Sequence, residues 1–186
     1  ASILTTVPSH LISGVTNMSQ MFHGASLFNA DISSWNTSNV SNMQFMFNSA
    51  RNFNQNINTK ELTAENSPTG VAYTAWNTSS VTTMYSMFQE ANSFNQPIGD
   101  WDTSNVVNMS NMLFAASQFN QDIGNWDTSS VRTMSHMFYQ GAMFNPDIGN
   151  WDTSSVNNMT NMFNDATAFN QNINTKELTD ENSPTG

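Results

Sequence analysis

Thirteen methionines and three histidines are the side chains of this sequence best suited to soft or transition metals. A thioether favours copper(I), and an imidazole ligates several metals once partners converge on it with a supporting shell. His10, His23 and His136 stand at different points of the repeat described below, so nothing brings them together. Twelve methionines fall into two columns of that repeat, beginning at Met18 and Met21, and only Met143 lies outside. A residue type recurring at one fixed period reads as core packing rather than as a cofactor site. Cysteine is absent, which excludes disulfides, thiolate metal sites and cysteine nucleophiles.

The carboxylates are the sharper candidates. Asp102, Asp127 and Asp152 follow successive tryptophans, and Asp122 and Asp147 precede successive isoleucines. Stacked repeats would set like charges about 5 Å apart, the spacing of neighbouring strands. In water that repulsion is roughly 0.8 kcal/mol per pair. Weak Ca²⁺ binding between repeats would relieve it, with Asn and Ser oxygens helping to supply the six to eight or so that Ca²⁺ takes. The plainer expectation is that these are turn residues. Calcium is the one cofactor the sequence suggests.

Hydroxyls form the third group. Thr37, Thr78, Thr103, Thr128 and Thr153 occupy one column, and Ser38, Ser79, Ser104, Ser129 and Ser154 the next. An outward threonine column would be a ladder of hydroxyl and methyl groups, similar to the ice-facing surfaces of ice-binding repeat proteins. Alternate residues of an extended segment face opposite ways, so at least one of the two columns is expected to be structural. Catalysis needs a unique constellation in a pocket, whereas a regular repeat gives every unit the same residues. Ser129 has no companion histidine in its repeat. The expectation is a non-enzyme.

What must position these groups is the repeat itself. Trp76, Trp101, Trp126 and Trp151 are each 25 residues apart, and Trp35 precedes Trp76 by 41, which is 25 plus a 16-residue insertion. Phe28, Phe53, Phe94, Phe119, Phe144 and Phe169 share that register, as do the columns beginning at Val15 and Ile32. An asparagine follows every phenylalanine of that column, from Asn29 to Asn170, and suggests a ladder of amides satisfying turn groups. A longer period is superimposed: QNINTKELTAENSPTG at 55–70 returns at 171–186 with one change. The second copy breaks off at Gly186, so the array is expected to continue.

Within one unit, Val131, Met134, Met137, Phe138 and Gly141 fall at the spacing of an apolar helical stripe. Asn39, Ser80, Asn105, Ser130 and Ser155 stand where helix N-caps would. The Ile-to-Trp stretch reads as a short strand, parallel to its equivalents. KELT and VAYTAW flank a Pro/Gly turn and read as a hairpin.

The string F-N-Q-D-I-G-N-W-D-T-S-S-V-x-x-M-x-x-M-F, read from Phe119 to Phe138, resembles the 25/26-residue repeat of bacterial surface proteins related to BspA-like leucine-rich repeats. The resemblance covers nearly the whole chain. It implies a repeat solenoid of LRR-like α/β class, with a short parallel strand and a short helix in each coil. It also implies a secreted or surface-anchored protein, with adhesion or protein interaction the usual role, and it supplies no catalytic residue.

The expected layout is a degenerate N-terminal coil or cap at 1–14, coils at 15–57, a hairpin insertion at 58–75, coils at 76–173, and a truncated second insertion at 174–186. Four basic residues against fourteen acidic ones, net charge −10, argue against nucleic acid and anionic membranes. No apolar run reaches the roughly 20 residues of a membrane span. The expected role is a structural spacer or fibre unit, or an adhesion surface, outside the cell. Ice binding and a Ca²⁺-stabilised adhesin are the alternatives. The partners would be a protein or surface ligand and, through terminal coils, a second copy end to end.

Overall fold

A computed structural model describes residues 7–11 and 14–173. The second insertion at 174–186 lies outside the described residues, as does most of the N-terminal cap.

The described residues contain no helix. Their only strands are β1 (Lys60–Leu62) and β2 (Tyr73–Ala75), paired antiparallel with Glu61 opposite Thr74. This overturns the expected LRR-like α/β solenoid with a helix and a parallel strand in each coil. The apolar spacing that suggested a helix is met by tight turns instead. Met46 N–H donates to Met43 O, Asn48 N–H to Phe45 O, and Ala50 N–H to Phe47 O, each three residues back. The intervening amides leave the repeat altogether. Those of Met43, Phe45, Phe47 and Ser49 donate to Thr83, Tyr85, Met87 and Gln89 in the next repeat, at 2.7–3.2 Å. A helix would turn every amide back onto its own segment and leave none for the neighbour.

This alternation requires unusual backbone. Two residues four apart take positive φ in successive repeats: Phe45 and Ser49, Ser86 and Glu90, Asn111 and Ala115, His136 and Gln140, Asn161 and Asp165. Left-handed conformation costs a non-glycine residue roughly 1–2 kcal/mol. Here it is offset by bonding at once to a turn and to the adjacent repeat.

The Ile-to-Trp stretch is also a turn, with Trp101 N–H on Ile98 O and Trp126 N–H on Ile123 O. Parallel contact between repeats occurs elsewhere, as single bridges linking Asn17, Asn42, Thr83, Asn108, Thr133 and Asn158 in succession.

The apolar columns stack into one core. Phenylalanines from Phe28 to Phe169 lie 5.7–6.4 Å apart, ring on ring, between successive repeats. A second column holds Phe22, Phe47 and Phe88, then Leu113, then Phe138 and Phe163. Within a repeat the two rings are closer, 4.0 Å for Phe47 and Phe53. No repeat could bury these rings alone, so each is stable only against its neighbours. Glycine has a role at one recurring place: a Cβ on Gly124 would come within 2.6 Å of Asp147 O in the next repeat.

Candidate functional site

The threonine column faces inward. Thr37, Thr78, Thr103 and Thr128 are buried, and each hydroxyl donates to a main-chain carbonyl of the following repeat. The acceptors are Asn77, Asp102, Asp127 and Asp152 at 2.7–2.9 Å. Thr153, in the last described repeat, is exposed. The candidate surface ladder therefore does not face outward along most of its length: four of its five hydroxyls are internal fasteners. One exposed column nearby holds Ser41, Thr82, Val107, Arg132 and Asn157, chemically mixed and including a charge.

The aspartates are turn residues. Asp102 Oδ1 accepts the Ser104 N–H at 3.0 Å and its hydroxyl at 2.6 Å, and Asp127 does the same for Ser129. Asp152 accepts the Ser154 N–H, Asp122 the Gly124 N–H and Asp147 the Gly149 N–H, at 2.8–2.9 Å. The Ser154 hydroxyl and N–H hold the Asp152 carboxyl below its ordinary value. The Ser33 N–H and hydroxyl do so for Asp31. Among the described residues no three His, Cys, Asp or Glu side chains gather as a metal would need. For the calcium candidates this leaves each carboxylate engaged by its own turn.

The asparagine column forms a ladder of five rungs. Oδ1 of Asn29, Asn54, Asn95, Asn120 and Asn145 accepts the main-chain N–H of the next asparagine, at 2.9–3.0 Å throughout. Gln121 Nε2 adds a second donor to Asn95 Oδ1 at 2.9 Å. Proline takes this position at Pro146, and the glutamine rung is missing there.

Where the regular pattern breaks, the surface changes. β1 and β2 fold back over the preceding repeat: Lys60 Nζ donates to Ser33 Oγ at 3.2 Å, and the Tyr73 hydroxyl donates to Ser34 O. Between this hairpin and His10, Leu11, Gly14 and Val15 lies a cleft of about 440 Å³. Sequence reasoning marked the insertion but not the cleft, because only the backward fold of the hairpin creates it. Aromatic side chains at variable positions also sit half-exposed, with Phe45 against Tyr85 at 5.0 Å and Phe114 stacked on Tyr139 at 4.7 Å.

The family described as "Mycoplasma protein of unknown function, DUF285" matches residues 3–66 and 60–176. The chain belongs to this family. It is a repeat-type surface family, and the two matches overlap at residues 60–66, in the insertion. No curated protein and no solved structure matches. Among the described residues of this DUF285 chain, no helix is long and apolar enough to cross a membrane.

Proposed function

We propose that this chain is a non-enzymatic structural unit, a spacer lying outside the cell that carries surface features at a set distance. The observation that supports this most is the use of its polar side chains. Threonine hydroxyls, asparagine amides and tryptophan indoles, the groups recurring in nearly every repeat, bond to the main chain of a neighbouring repeat. Such groups are committed to cohesion between units and are not free for turnover. The shared repeat string further supports a kinship of sequence and surface role with BspA-like surface proteins.

A spacer tolerates changes in unit number. Removing residues 106–130, one full period, should leave a cooperatively folding protein whose greatest dimension by small-angle scattering is shorter by one repeat. Loss of cooperative folding, or an unchanged dimension, would count against the spacer reading.

A further inference from the structure

We propose that Met143 is a site of reversible oxidation, a surface thioether that takes oxygen from a peroxide while the methionines of the core are shielded. This goes beyond the spacer reading and does not depend on it. Twelve of the thirteen methionines are accounted for by their columns, and Met143 is the one that is not. It is also the most exposed of them, at 50%. Ten others, from Met18 to Met162, are at most 7% exposed. Met21 and Met159, at 43% and 41%, belong to columns whose other members are all buried.

Two observations single out this position. First, little competes with it for an oxidant. The chain has no cysteine, so there is no thiol to react first. Trp35, Trp76, Trp101 and Trp126 are at most 3% exposed. Oxidation follows nucleophilic character and exposure, and Met143 combines the two. Second, the position accommodates the product. Asn52, Ser93 and Gln118 hold the same place in the three preceding repeats, and all are polar and exposed. A sulfoxide is a polar group that accepts hydrogen bonds, so at Met143 it fits a column already solvated in this way. At Met109 or Met134, both 0% exposed, the same oxygen would be buried without a donor and would cost folding stability. In the reaction a sulfur lone pair attacks one oxygen of hydrogen peroxide and the O–O bond breaks. The departing hydroxide leaves as water once the proton of the transferred oxygen reaches it. Sulfur gives up two electrons, and the peroxide is reduced. A dithiol reverses the step, taking the sulfoxide oxygen as water and closing to a disulfide.

Treatment of the folded 186-residue chain with hydrogen peroxide, followed by peptide mass spectrometry, tests this. Met143 should gain one oxygen about tenfold or more faster than any of the ten buried methionines. A variant carrying Met21→Leu and Met159→Leu isolates the site. Oxidation of its Met143 should leave the circular-dichroism melt unchanged, and methionine sulfoxide reductases A and B with dithiothreitol should restore the thioether. Should that variant melt early before oxidation, Met143→Gln in the otherwise unaltered chain replaces it for the melt. It sets at this position the side chain found at Gln118 and should melt as the parent does, while reductase recovery is read on the oxidised parent. Oxidation of Met143 no faster than that of Met109 or Met134 would overturn the proposal. So would an earlier melt of the Met143 sulfoxide or of Met143→Gln, or a sulfoxide that the reductases leave in place.

Discussion

The carbonyl oxygen of Ile98 accepts two donors: the main-chain N–H of Trp101 at 3.3 Å and the indole N–H of Trp126, one repeat on, at 3.0 Å. The same double acceptance recurs at Ile32, with Trp35 and Trp76, and at Ile123, with Trp126 and Trp151. Each indole thus closes a turn in the preceding repeat while its ring joins the aromatic core. Trp126→Phe keeps an aromatic ring but removes the donor. Equilibrium urea unfolding should show a loss of about 1–3 kcal/mol, the range for leaving a buried acceptor underused and a small void beside it.

The inward threonines separate shape from hydrogen bonding. Thr103→Val preserves side-chain shape but deprives Asp127 O of its 2.8 Å donor. It should cost about 1–2 kcal/mol in urea unfolding. Thr103→Ser keeps the hydroxyl and loses a methyl, and should cost less than valine. A surface threonine would reverse that order, with valine near neutral, so the ranking checks the placement.

Gly124 is a point of steric contact between repeats. Its missing Cβ leaves room for Asp147 O, which a methyl group would approach to 2.6 Å. Gly124→Ala should therefore destabilise by about 1–3 kcal/mol, the cost of overpacking, despite the intrinsic gain alanine usually brings to an unfolded chain. Thermal melts of the pair measure the sign directly.

Acid should loosen the turns. Asp31 and Asp152 have folded values below their ordinary 3.8, because serine N–H and hydroxyl groups stabilise the charged form. A lowered folded value means the unfolded chain binds protons first as pH falls. The stabilisation is fully present above pH 3.8, the unfolded value, and declines as pH drops through the folded values. Both groups are largely exposed, so the effect is small and best seen as a difference. Asp152→Asn should flatten the fall in melting temperature below about pH 4 relative to the unaltered chain.

The columns were legible in the sequence because identity recurs at a fixed step. Trp76 and Trp101, or Asn95 and Asn120, need only counting to be placed side by side. The local conformation was not legible. A spacing of three and seven residues is shared by a helical stripe and by successive turns that each close on the third residue. Nothing in the types of Phe45 or His136 announces positive φ, since neither is glycine and the inter-repeat bonds impose it. The direction of the threonines was hidden for a similar reason. Thr103 reads as a turn residue beside Asp102, and only the carbonyl of Asp127 in the next repeat shows which way it points.

The hydrogen bonds between repeats also have a sense of travel. Phe45, Phe47 and Ser49 send their amides forward, as Thr37 does its hydroxyl, while Trp76 sends its indole N–H backward. The two sides of a unit are thus plug and socket rather than mirror twins. A unit can be copied into any of the joints from Trp35 to Trp151, because each offers the same pair of fittings, but it cannot be inserted upside down. Lengthening by in-frame duplication is thereby the easy route of change for such a chain, and reversal of a unit is closed to it.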